Sequence, residues 1–156
     1  MTKLNVIAEP NQHDIIMMRQ FDAPPSLVFR AYTDPVLVAQ WWGQAGLNTV
    51  VDQMEVRKGG IWRYVQQDAD GSEYIFNGVY HEIAAPGRLV YTFEFEGMPG
   101  HILLETITFE EQDGKTLMTD LCVCQSIADR DAMIQSGMEA GAAESWDRFD
   151  ALLKTL

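Results

Sequence analysis

Basic residues are scarce in this chain: 11 Lys and Arg stand against 23 Asp and Glu in 156 residues, a formal charge of −12. A surface so short of cations neither displaces counterions from a phosphate backbone nor meets anionic headgroups, which argues against nucleic acid and membrane as partners. Cysteine is nearly absent. The two present, Cys122 and Cys124, lie two apart on an expected strand, where they share a face and are badly placed to bridge to each other; a reducing compartment fits. Long apolar runs are missing as well. No stretch of about eighteen uncharged apolar residues occurs, and Met1 to Gln12 hold no apolar core of signal-peptide length, so the expected location is cytoplasmic. No Pro/Ser-rich or charged linker divides the chain, and residues 1–156 read as a single domain. Catalytic and metal signatures are lacking too. There is no Gly-x-Ser-x-Gly elbow or phosphate-cradling glycine loop, and Cys122-x-Cys124 with the scattered His13, His81 and His101 lacks metal-ligand spacing. Neither a metal nor a cofactor is expected.

What is present is a core of sizeable capacity, 47% hydrophobic and 10% aromatic, and a split signature near the start. Phe21-Asp22-Ala23-Pro24-Pro25 ends a strand at a double proline, Thr33-Asp34-Pro35 restarts a helix, Trp41-Trp42-Gly43 closes the excursion, and Arg57-Lys58-Gly59-Gly60-Ile61-Trp62 turns into a new strand. A first strand is expected over Asp14 to Phe21, then short helices over Ser26 to Tyr32 and Pro35 to Trp42. Period two then predicts strands at about Thr49 to Val56, Ile61 to Gln67, Glu73 to Ile83, Leu89 to Glu96, Leu103 to Glu110 and Thr116 to Gln125. They are joined by turn chemistry at Asp70-Gly71, Pro86-Gly87, Gly97-Met98-Pro99-Gly100 and Asp113-Gly114. From about Ala128 to Leu153 apolar residues recur at threes and fours, predicting one long amphipathic helix capped by Ser126 or Asp129. An antiparallel meander with one apolar face needs a cover, and only that helix is long enough, so the expected class is α+β: a curved antiparallel sheet of about seven strands wrapped around a long C-terminal helix.

In these motifs the chain resembles the START-like, helix-grip domains (the SRPBCC superfamily), and within them the family of activator of heat-shock-protein ATPase homologues of C-terminal-domain type. The resemblance runs from about Met18 to Leu153. It is carried by Arg19-Gln20-Phe21-Asp22-Ala23-Pro24, Ala31-Tyr32-Thr33-Asp34-Pro35, Gln40-Trp41-Trp42-Gly43, Arg57-Lys58-Gly59-Gly60, Gly78-Val79-Tyr80-His81-Glu82-Ile83, Pro86-Gly87-Arg88-Leu89-Val90-Tyr91-Thr92 and Gly137-Met138-Glu139-Ala140-Gly141. One departure stands out: relatives commonly carry Gly-Trp in the final helix, whereas Gly141 here precedes Ala142 and an indole comes a turn later as Trp146. Moving that volume implies repacking or a cavity.

A two-residue turn at Asp113-Gly114 fixes a register: Phe109 opposite Met118, Ile107 opposite Asp120, Glu105 opposite Cys122, Leu103 opposite Cys124. The resemblance favours this face as the one under the helix, which puts Glu105 and Asp120 side by side within the grip. Two carboxyls in an apolar cavity repel, and one would keep a proton near neutral pH. A wet cavity mouth, pairing with Arg63 or another base, or a slipped register would instead leave both as ordinary acids. The candidate ligand-binding residues are Trp62, Tyr64, Phe93, Glu105, Met118, Asp120, Met138 and Trp146. Three functions stay open: binding of an apolar or aromatic small molecule, which START-like folds imply and which is preferred; an enzyme of cyclase, hydratase or hydrolase kind using the carboxyls; and a chaperone ATPase co-regulator, weakened because eukaryotic activators pair this domain with a second, docking one. The oligomeric state is left open, a homodimer being one outcome.

Overall fold

The computed structural model describes residues 3–156. In chain order the elements are β1 (Asn5–Ile7), β2 (Asp14–Phe21), α1 (Pro25–Thr33), α2 (Pro35–Trp41), β3 (Asn48–Met54), β4 (Ile61–Gln67), β5 (Glu73–Ala84), β6 (Arg88–Phe95), β7 (Ile102–Gln112), β8 (Lys115–Cys124), α3 (Ile127–Gln135) and α4 (Met138–Leu153). All strands form one antiparallel sheet in the order β1-β2-β8-β7-β6-β5-β4-β3. Bulges between Val51 and Gln53 and between Tyr80 and Glu82 bend it. The Asp113-Gly114 turn has both residues at positive φ, as a two-residue hairpin loop demands, and the pairing of Phe109 with Met118 and of Glu105 with Cys122 follows from it.

Two expectations are corrected. The sheet has eight strands: β1, three residues paired with β2, is too short for a period-two pattern to mark it. The C-terminal segment is two helices. Ser126 caps the first through its side chain, which accepts from the Asp129 amide at 3.0 Å. Gly137, at φ 84°, then breaks the run, a conformation that suits glycine and ends a helix. The apolar spacing crosses the break, so periodicity alone reads it as continuous.

α1 starts on Pro25 and α2 on Pro35, where a fixed φ suits the first helical turn and no amide is wasted; the Asp34 side chain accepts from the Val36 amide at 2.9 Å. Trp41, at the end of α2, donates its indole N–H to the Ala31 carbonyl and locks the helix pair. α4 lies on the inner face of the sheet. Its Phe149 is fully buried, with ring centroids 4.4 Å from Trp41, 5.1 Å from Phe21 and 5.8 Å from Tyr32. Arg19, inward on β2, ties the helix down through Asp147 at 2.7 Å and Asp150 at 3.6 Å while standing 5.2 Å over the Phe21 ring. On the α2 side, the Ser145 hydroxyl accepts from the Gly43 amide, and Arg148 donates to the carbonyls of Gln40, Gly43 and Gln44.

Phe149→Asp removes the ring on which three others pack and leaves a buried charge without a partner. A loss of about 4 kcal/mol or more is expected. Urea unfolding measures it; a variant with the parent's midpoint would mean that α4 does not close this end.

Candidate functional site

Above Phe149 the interior is not filled. Between α4, α3 and the sheet lies a cavity of about 680 Å³. The strands supply its aromatic wall because alternate residues point inward: Trp62 and Tyr64 from β4, Phe76 and Tyr80 from β5, Tyr91 and Phe93 from β6. Trp42, just past α2, reaches over these rings, 5.1 Å from both Tyr64 and Phe76. The Trp62 indole donates to the Thr92 carbonyl at 3.2 Å, an approach that needs glycine at 78, since a Cβ there would collide with both groups. Apart from Trp146 on α4, the helical roof is made of smaller or flexible side chains: Ala132 and Met133 from α3, Met138 and Ala142 from α4. At the rim His101 Nδ1 lies 2.9 Å from Asp129 Oδ1 and joins the segment before β7 to α3.

One end of the cavity is polar. Glu105 on β7 is 7% exposed and Asp120 on β8 2%, and their oxygens lie with Cys122 Sγ inside 4.8 Å of one another. Cys122 Sγ is 3.7 Å from Glu105 Oε1 and 3.5 Å from Asp120 Oδ1. Tyr91 stands directly across from Glu105 in the sheet, with its hydroxyl 3.3 Å from that of Tyr32 on α1. Burial pushes Glu105 well above the usual carboxylate range and the neighbouring Asp120 pushes it further. Burial also raises Asp120, to about 6, while hydrogen bonds from Glu105 and Cys122 hold it back. Burial raises the Cys122 thiol and the Tyr32 and Tyr91 phenols, which therefore stay protonated donors. Among the described residues this trio brings three metal-ligating side chains together. Held up by burial, the thiol and one carboxyl keep their protons and make the trio a proton-sharing cluster, and an ion would have to displace those protons to bind there.

Of the residues expected at a site, Trp62, Tyr64, Phe93, Glu105, Asp120, Met138 and Trp146 line this one cavity. Met118 does not. It is fully buried opposite Phe109 and Arg19, at the end that Phe29 and Tyr32 close by packing on Phe109. It shares the inward face of β8 with Asp120, so strand alternation cannot tell the plugged end from the hollow one. Arg63 takes no part either, because it pairs with Glu96 at 2.8 Å and Asp52 at 3.0 Å instead. Tyr32 and Ala142 join the site from helices and Trp42 from just beyond one, and no local pattern links them to the strands they face.

A hollow, aromatic-walled interior held between one helix and an open antiparallel sheet defines a START-like, helix-grip protein. Residues 22–154 match the family described as Activator of Hsp90 ATPase homolog 1-like protein, and the chain belongs to that family. Among solved structures it is similar to a Rhodobacter sphaeroides protein at 23% identity and TM-score 0.91, covering 99% of each chain. It is also similar to an Arthrobacter aurescens protein at 24% identity and TM-score 0.89, covering 97% of this chain and 92% of that one. A Staphylococcus epidermidis protein is 27% identical with TM-score 0.81, covering 94% and 93%. No curated protein matches the chain significantly. Among the described residues no helix is long and apolar enough to cross a membrane.

The acid pair makes stability depend on pH in a definite sense. Between the ordinary carboxylate range and about 6 the native state holds a proton on Asp120 that the unfolded chain has released, so stability falls as pH rises through this window. The raised Glu105 extends the fall to higher pH. For Asp120 a rise of that size corresponds to roughly 3 kcal/mol. Thermal midpoints of Asp120→Asn relative to the parent should therefore climb from pH 4.5 to pH 8. Parallel curves would mean that the carboxyl is solvated.

Proposed function

We propose that the protein binds a small, largely apolar molecule, aromatic in whole or in part, in the cavity between α4 and the sheet. The observation that carries this reading is the cavity itself. Its volume of about 680 Å³ falls inside the span of small-molecule sites, its walls are mainly aromatic, and its buried carboxyls converge at one end. Interiors pack near crystal density, so a void of this size among large side chains is not what folding alone selects. The family membership and the START-like fold support the same reading.

A second reading, catalysis in the same cavity, is favoured by one proton-holding and one ionisable carboxyl lying beside two phenols, which sets an acid next to a base. Its test is chemical. Small molecules retained by protein purified from its own source, identified by native mass spectrometry, should differ between the parent and Asp120→Asn if the pair transforms them, and should be the same compound if it only binds them.

Binding is tested with the uncharged dye N-phenyl-1-naphthylamine. Saturable fluorescence enhancement in the micromolar range is expected, roughly −7 to −9 kcal/mol for an apolar body of that size. Ala142→Trp, which fills the cavity from α4, should abolish it, whereas Ala151→Trp on the exposed side of the same helix should not. Unsaturable uptake, or uptake indifferent to Ala142→Trp, would overturn the proposal.

A further inference from the structure

The walls of the cavity say what kind of head group its occupant has. Its buried polar end is made of two carboxyls, Glu105 and Asp120, and among the described residues no lysine or arginine lines the space. The groups packed around the pair are Tyr32 from α1, Tyr91 from β6 and Cys122 from β8, all neutral donors that cannot balance a negative charge. Arg19, the inward cation on β2, is committed to Asp147 and Asp150, and His101 at the rim faces Asp129. A carboxylate or phosphate entering this space would meet two acids and no cation. We propose that the cavity takes an aromatic ligand whose polar end is a protonated amine seated on Glu105 and Asp120, and that it discriminates against carboxylates of the same shape.

This inference rests on the cavity being a ligand site, and adds the charge of the ligand. Three further observations support it. A carboxyl ionised at neutral pH and 2% exposed is unfavourable without a counter-charge, and an ammonium group supplies the one the fold omits. Its N–H groups would all be donors, matching the acceptor oxygens of the Asp120 carboxylate and the carbonyl oxygen of the Glu105 carboxyl; charge-assisted bonds of the first kind are the strong ones. The electron-rich rings of Trp62 and Tyr91, 5.9 Å apart at this end of the cavity, attract a cation where an anion gains nothing.

The test uses three compounds with one ring system: 1-naphthylmethylamine, 1-naphthylmethanol and 1-naphthylacetate, each displacing N-phenyl-1-naphthylamine. The amine should displace the dye at a concentration about ten- to a hundredfold below that of the carboxylate, the scale of one charge-assisted hydrogen bond, with the alcohol between them. The net negative charge of the chain also attracts cations from a distance, and salt separates the two effects. At 1 M salt long-range attraction is screened, while an ion pair buried in the cavity persists. The order amine, alcohol, carboxylate should therefore survive at 1 M salt and collapse in Asp120→Asn and in Glu105→Gln/Asp120→Asn, both of which should still take up the dye. Equal displacement by all three compounds, a carboxylate preference, or a preference that vanishes with salt would overturn the inference while leaving dye binding intact. Absence of saturable dye binding would overturn the reading on which it rests as well.

Discussion

A single helix has to cover the inner face of an eight-stranded sheet, and α4 has 16 residues, a length of about 24 Å. That mismatch shapes the molecule. Where α4 meets α1 and α2, large side chains close the gap: Phe149, Trp41, Phe21 and Tyr32 pack ring on ring, and Arg19 clamps the helix from below. Toward its start the helix offers Gly141 and Ala142, the chain turns at Gly137, and α3 contributes Ala132, with Ser136 just beyond its end. Small residues there cannot reach the aromatic wall on the far side. The cavity is the part of the sheet that the helix leaves uncovered.

The hollow in turn decides the chemistry of what it encloses. Glu105 and Asp120 sit on adjacent central strands whose other inward residues are apolar save Thr116, which bonds the Ala23 carbonyl, so they are far from bulk water without being matched to a cation. Apolar residues at both places would make a more stable core, since a desolvated carboxyl pair, one member holding its proton and the other ionising without a counter-charge, stabilises nothing. Residues that break the local rule of an apolar interior without a structural return are where function is to be sought. Cys122 and Tyr91 soften the penalty as neutral hydrogen-bond donors, with the Tyr32 hydroxyl paired to that of Tyr91, and this keeps the pair in place without supplying a cation.

Much of this was readable from residue order. Prolines at 25 and 35, the Asp113-Gly114 turn and period-two alternation placed the helices, the hairpin register and the face that Glu105 and Asp120 share, because each is a local rule acting over a few residues. What stayed hidden was the depth along that face. Met118 and Asp120 are two residues apart and both inward, yet one is sealed beside Phe109 and the other opens on the cavity, a difference set by where α1, some ninety residues earlier in the chain, packs its Phe29 and Tyr32. The break at Gly137 was hidden for a related reason: helical spacing on its two sides is in phase. Tyr32 and Trp42 join the site only through the packing of α1 and α2 against the sheet.

The division between a plugged end and an open end is the central claim, and methionine methyl groups report on both. With 13C-methyl methionine in the intact chain, N-phenyl-1-naphthylamine should shift the methyl resonances of Met133 and Met138, which line the cavity, saturably and with one common midpoint, while that of Met118 stays in place. A Met118 shift as large as the others, or no saturable shift at Met133 and Met138, would contradict the account.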